Sequence, residues 1–299
     1  MFDADGEPIE WRDRYRVDFL TDRAEAFVRR ERNRPFFLFI SYLEPHQQND
    51  MDHRFIAPEG YAQRFADPWV PGDLRGRPGN WHSQLPGYYG CVARLDECLG
   101  RLERALAESD QLERTVIVFT TDHGCHFRTR NPEYKRSCRE ASLRLPLAMA
   151  GPGLDRRLLI ENLVSLIDLP PTLLYIAGIK IPTTFQGRSM LPLVDRAARD
   201  WPDEIFFQIS EAEVGRGIRT RSWKYSVFAP DADPRADAGS ESYVEPYLYD
   251  LGADPHEAVN LVGRGDYRAV ADELRVRLID HMLAAGEPKP TIEPARYYA

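Results

Sequence analysis

Cysteine is scarce in this chain. Four occur among 299 residues, at positions 91, 98, 125 and 138, with no CxxC pair, which excludes a disulfide scaffold and leaves the redox compartment open. No apolar run approaches the roughly 20 residues that cross a bilayer, so no membrane span is expected. The N-terminal stretch MFDADGEPIEWRDRYR lacks the apolar core of a signal peptide, and nothing else in the chain indicates a localisation. Positive charge is also short: 39 Lys and Arg against 47 Asp and Glu give a formal charge of -8. That balance argues against a nucleic-acid surface but admits a local basic pocket for a small anion. Low-complexity tracts and internal repeats are absent.

What remains is an ordinary globular composition, 43% hydrophobic and 29% charged, in a chain long enough for one large α/β domain or a main domain with an appendage. Asp22, followed three residues later by Glu25, has the form of a capping box opening a helix with Leu20, Ala24, Phe27 and Val28 on one face. PFFLFISYLEPH, residues 35–46, is an unbroken apolar run that predicts a strand buried on both faces. A loop rich in Pro and Gly follows over 47–86. Tyr88, Cys91, Val92, Leu95, Cys98, Leu99, Leu102 and Leu106 recur at spacings of three and four, an amphipathic helix, and TVIVFTT predicts a second buried strand.

Strand, loop, helix and strand in this order make a parallel α/β unit, which gathers functional groups beyond the carboxyl ends of its strands. LRLPLAMAGPG predicts a further strand, and DLPPTLLYIAG a helix capped by Asp168 and closed by Gly178. The character changes near Trp201, placing the boundary between a first part, 1–200, and a smaller α+β part, 201–299. In the latter EIFFQIS, GRGIRT, WKYSVFA and PYLYDL predict a small antiparallel sheet, with a closing helix at 267–284.

Asp122 and His123 stand at the end of one predicted strand and His46 at the end of another. Such positions suit metal or anion ligands. An Asp after a strand also commonly caps the next turn, and a loop histidine is commonly a polar surface group, so the local pattern leaves both readings open. Lys135 lies in a polar stretch where lysines are usually solvated. Glu140 and Arg144 are spaced i, i+4 and read as a structural pair across a turn. His126 has no assigned role, and Trp223 and Tyr225 read mainly as packing aromatics.

RPFFLFISYLEPH, YYGCVARLDECLGRLERALAESDQLERTVIVFTTDHG, YKRSCREASLRLPLAMAGPG, RGIRTRSWKYSVF and LYDLGADPHEAVNLVG, in this order and spacing, resemble the sulfatase family of the alkaline phosphatase superfamily from about residue 15 to 285. The resemblance implies an alkaline phosphatase-like α/β fold with a mostly parallel central sheet flanked by helices. It also implies a metal-dependent sulfate ester hydrolase acting on an aryl or sugar sulfate. Asp122 and His123 match two ligands of the divalent cation; His46 and Lys135 match the groups that contact the sulfate, where a tetrahedral anion with developing charge needs donors. Calcium is the family's common ion, but His123 stands where many relatives have Asn, and imidazole suits softer cations, so another divalent ion stays open.

The family's formylglycine forms within C/S-x-P/A-x-R, and no such pentapeptide occurs here. CVARL at Cys91 comes nearest, with its arginine one place early and its cysteine on a core-facing helix. The Asp-Asp pair and Lys-x-x-His segment are likewise missing. A chain that is the C-terminal portion of a longer enzyme explains every gap, predicts inactivity of the portion alone, and predicts a bare hydrophobic sheet edge open to a missing N-terminal half. Two alternatives stand beside this reading: a phosphate or phosphonate monoester hydrolase of the same superfamily, and a non-catalytic module binding glycans or a partner.

Overall fold

A computed structural model describes residues 6–7, 14–48, 52–154 and 157–296. The N-terminal stretch read above for its lack of an apolar core therefore lies largely outside the described residues. The chain divides into two compact units, one comprising Met1–Val70, Asn80–Val118 and Met149–Asp155, the other Pro71–Gly79, Phe119–Ala148 and Arg156–Ala299.

In the first unit helix α1, Arg16–Val28, packs on α2, Trp81–Glu108. Helix α1 starts six residues before the expected cap, because Asp22 and Glu25 are not capping residues: both carboxylates accept from the Arg101 guanidinium on α2, at 2.5 and 2.8 Å. Asp18, one turn earlier, pairs with Arg94. Helix α2 also starts earlier than expected, at Trp81, and runs through Pro86. Cys91 and Cys98 are buried as the periodicity predicts, at 1% and 0% exposure. The Cys91 thiol, pushed up to about 11 chiefly by burial, is not an accessible nucleophile.

Residues 35–46 depart most from expectation. They form no strand, and 44–46 turn. Phe36 and Leu38 pack on a cluster of Val28, Ala105 and Leu106, while Phe37 and Phe39 on the opposite face are 72% and 78% exposed. The run has a strand's period of two and, among the described residues, no neighbouring strand. TVIVFTT does form strand β1, Ile117–Thr120, which pairs with β2, Leu147–Ala150, in a two-stranded sheet. Phe119 and Leu147 are 39% and 36% exposed, so these strands are not buried on both faces.

Between β1 and β2 lies the short helix α3, Glu140–Leu143. Helix α4, Leu169–Ile176, has the predicted prolines in its first turn. Its end is set by Gly178 at φ 68°, whose N–H reaches the Tyr175 carbonyl while Ile179 N–H reaches that of Leu174, a left-handed termination that glycine permits. Asp168 instead turns its carboxylate back to Ser165 N–H and across to Arg188 N–H, both at 2.9 Å. Helix α5, Leu191–Val194, follows.

The C-terminal sheet matches the sequence reading closely. Strands β3 (Glu204–Ile209), β4 (Gly215–Thr220), β5 (Trp223–Phe228) and β6 (Ser242–Asp250) pair antiparallel in order. The unanticipated addition is β7, Thr291–Glu293, parallel to β6 after helix α6, Arg268–Ala284. Leu274, Leu278 and Met282 on α6 meet Ile218, Tyr225 and Leu248 in one core, all at 2% exposure or less. Each such side chain contributes about 1.5–3 kcal/mol by burial. Gly217 opposes Phe207 in the register, and a Cβ there would lie 2.2 Å from the ring; the aromatic covers the glycine.

Candidate active site

The segment from β1 to α3 carries three of the four candidate residues, and the structure brings those three together. Beyond β1, Asp122 projects a carboxylate that is 82% exposed, its Oδ1 accepting from His123 N–H at 2.9 Å. The His123 ring lies beside it, Nε2 3.4 Å from Asp122 Oδ2. Nδ1 of His123 is 2.9 Å from the Gly124 carbonyl; a carbonyl only accepts, so Nδ1 bears the proton and Nε2 is the acceptor. Onto that acceptor Lys135 Nζ donates at 2.8 Å. The carboxylate, imidazole and ammonium thus converge within one short reach.

Lys135 is held by more than its tip. Its ammonium sits over the Tyr134 ring at 5.2 Å, and that ring in turn meets His123 edge-on at 6.2 Å. Burial, aided by the neighbouring Arg136 charge, lowers the Lys135 affinity for its proton, against the pull of Asp122, Glu211 and Glu133. A less hydrated ammonium forms stronger contacts with an incoming anion.

His46 belongs to the first unit. It follows the apolar run, its N–H on the Leu43 carbonyl at 2.9 Å and its Nδ1 2.5 Å from the Gln47 carbonyl. The preceding Glu44 is buried and bound by Arg16 at 2.8 Å, which ties the turn to α1.

Could Asp122 and His123 hold a cation? Ligand atoms at about 2.0–2.2 Å from one ion lie roughly 3 Å or slightly more from each other, and the 3.4 Å between Oδ2 and Nε2 suits that. Among the described residues, however, no group of three or more His, Cys, Asp and Glu side chains comes together. The pair is two ligands of a larger shell. It also presents one imidazole lone pair for which an ion and the Lys135 ammonium compete.

Glu140 makes different contacts from those its spacing suggested. Rather than Arg144, its carboxylate meets Lys224 Nζ at 2.6 Å and Arg219 at 3.1 Å. Lys224, on β5 and wholly buried, also reaches Glu257 at 2.8 Å, and the second Glu257 oxygen accepts Glu140 N–H at 2.8 Å. These charges lower the Glu140 carboxyl against the raising effect of its burial, the largest single influence on it. The network fastens the segment carrying Lys135 to the C-terminal sheet. Sequence reasoning missed Lys224 and Glu257, though a lysine inside a strand as apolar as WKYSVF must be paired if buried. Tyr225, fully buried with its hydroxyl on Glu245 at 2.7 Å, is a packing residue as expected.

The same α/β architecture occurs in solved hydrolases of sulfate and phosphonate esters. A protein solved in work on glycosaminoglycan metabolism by Bacteroides thetaiotaomicron aligns over 96% of this chain and 62% of its own, with TM-score 0.77 and 21% identity. A phosphonate monoester hydrolase of Agrobacterium radiobacter aligns over 94% and 63%, with TM-score 0.72 and 23% identity. A third structure, holding its substrate D-glucosamine-2-N,6-O-disulfate, covers 70% and 42%, with TM-score 0.57 and 27% identity. The sulfatase family model matches residues 4–179, and the model for the C-terminal part of N-sulphoglucosamine sulphohydrolase matches 133–283. The chain belongs to the sulfatase family. Among its relatives, mouse arylsulfatase K is 34% identical over 58% of this chain and 32% of its own length. An arylsulfatase of Clostridium perfringens is 28% identical over 92% of this chain and 58% of its own. The chain thus spans from about a third to under two thirds of the curated relatives it matches.

Proposed function

We propose that these residues form one wall of a metal-dependent sulfuric ester hydrolase. In this reading Asp122 and His123 hold a divalent cation, calcium or a softer ion that accepts imidazole, and Lys135 and His46 contact the sulfate. Residues 1–200 are then part of the catalytic α/β domain and 201–299 its smaller companion. The observation that carries the proposal is the convergence of Lys135 Nζ on His123 Nε2 beside Asp122. A sulfate oxygen and a cation would satisfy this ammonium and this lone pair separately, in place of their contact with each other. The cation, when bound, supplies Lewis-acid stabilisation of negative charge; the chain's own part is to place an ammonium next to it.

A sulfated amino sugar is the substrate class we favour. Two of the similarities support it, the disulfated glucosamine held by one neighbour and the sulphoglucosamine sulphohydrolase model over 133–283. The second reading is hydrolysis of a phosphonate monoester, favoured by the Agrobacterium neighbour. Without a C/S-x-P/A-x-R pentapeptide this chain supplies no formylglycine nucleophile, and loss of a nucleophile from a catalytic unit costs on the order of 10⁶ in rate. The partner that completes the site is accordingly a further part of a sulfatase fold, seated against the bare face of residues 35–46.

The test is turnover by the purified chain and by the full gene product against a sulfated glucosamine, an aryl sulfate and an aryl phosphonate. The expected result is silence from the chain and sulfate release by the full product. Phosphonate turnover exceeding sulfate turnover overturns the first reading in favour of the second. Glycan retention without turnover by either form makes the protein a binding module.

A further inference from the structure

Lys135 owes its place to no regular element. Residues 121–139 contain no helix or strand, and three non-glycine residues among them, Phe127, Arg128 and Arg136, stand at φ 50°, 59° and 59°. Side chains take that conformation only where the surroundings impose it. His126 lies at the centre of those surroundings. It is fully buried. Its N–H donates to the Tyr134 carbonyl at 2.7 Å, and its own carbonyl accepts from Thr129 N–H at 2.9 Å. Its ring reaches the Lys135 carbonyl through Nε2 at 3.1 Å. Asn131 Nδ2 adds a second donor to that carbonyl at 3.2 Å.

The tautomer follows from the acceptor: a carbonyl cannot donate, so Nε2 carries the proton and Nδ1 does not. Nδ1 is buried with no hydrogen-bond partner. A bare ring nitrogen in the interior is costly, and a residue needed only for volume would be better as leucine. The imidazole is explained by its donor.

We propose that His126 is a positioning residue for Lys135, its Nε2–H fixing the lysine main chain while His123, three residues earlier in the same segment, receives the ammonium. The grip is a matter of geometry; its meaning for sulfate rests on the function proposed above.

The test uses imidazole nitrogen NMR and amide exchange on the whole chain. Glutamine can bring an amide nitrogen to the position of Nε2, whereas asparagine reaches only that of Nδ1. His126→Gln should keep the parent His123 signals, while His126→Asn and His126→Leu should shift them and speed exchange across 129–136 roughly tenfold, the worth of one buried hydrogen bond. Equal behaviour of the Gln and Asn variants, including equal failure to fold, overturns the proposal. So does a proton found on Nδ1 of His126 in the unsubstituted chain. Inorganic sulfate, added separately to that chain, tests the other reading: unmoved Lys135 and His123 signals count against an anion site and leave the grip of His126 as measured.

Discussion

Two apolar stretches that read alike in the sequence have opposite fates. EIFFQIS becomes β3, laddered to β4 over six residue pairs, with its sheet closed by α6 on a core of fully buried side chains. FFLFISY, with at least as much apolar character, packs one face on α1 and α2 and leaves Phe37 and Phe39 bare. Among the described residues, the backbone groups of residues 36–42 take part in no turn or loop hydrogen bond. The lesson is about partners. Alternation and hydrophobicity make a strand available, but a ladder needs a second strand, and β3 has one eleven residues downstream whereas 35–46 has none among the described residues.

The largest expected effect lies on the satisfied side of that comparison. Replacing Lys224 by Met leaves Glu257 buried without its cation and Glu140 with Arg219 alone, and breaking a buried pair in this way costs about 3–5 kcal/mol. Denaturant unfolding should show that loss, and a change under 1 kcal/mol would mean that the carboxylates find water or another partner. Next comes Leu278→Ala on α6, at 0% exposure in the core, for which about 2–5 kcal/mol is expected. A smaller value would show that the sheet and helix relax into the space.

Local signals accounted for most of this. Helix α6, the four antiparallel strands and the Gly178 stop were legible because each depends on near neighbours in sequence. The Asp122–His123–Lys135 group was legible only through the family resemblance, since its members are separated by a turn without periodicity. What escaped were contacts between distant residues. Asp22 and Glu25 look like a cap, yet their partner is Arg101, 79 and 76 residues away; Glu140 looks paired with Arg144, yet its partners stand 79 or more residues downstream on β4 and β5.

A smaller effect concerns pH. Burial, with the Arg130 and Arg139 charges, pulls His126 from 6.5 to about 4. Its contribution is fully present above about pH 6.5 and is lost as pH falls toward 4, because only the unfolded chain takes up the proton there. Burial pushes Glu213 the other way, from 4.5 to about 7, against the opposing Arg139 charge. Its contribution is full below about pH 4.5 and declines as pH rises through 7. The two slopes oppose each other over the shared span from about pH 4.5 to 6.5, so the unfolding free energy of the parent should be nearly level there. Glu213→Gln should leave a stability that rises from about pH 4 to 6.5, and His126→Gln one that falls from about pH 4.5 to 7. A variant whose profile stays as level as the parent's would show that other groups set it.

The smallest effect is the most informative about the comparison. Phe37→Ser with Phe39→Ser removes two large aromatics that, at 72% and 78% exposure, contribute almost nothing to the folded chain by burial. Exposed substitutions away from special features move stability by within about 0.5 kcal/mol, and the double variant should unfold at nearly the parent denaturant midpoint. It should also resist self-association better, since bare alternate aromatics on an unladdered apolar run are a template for aggregation. In the full gene product the same pair of changes should be severe, several kcal/mol, if further strands of the sulfatase fold seat on that face. A full-length protein as tolerant of the change as the chain alone would show that 35–46 is a finished surface, and that the contrast with β3 reflects a difference in purpose rather than an absent neighbour.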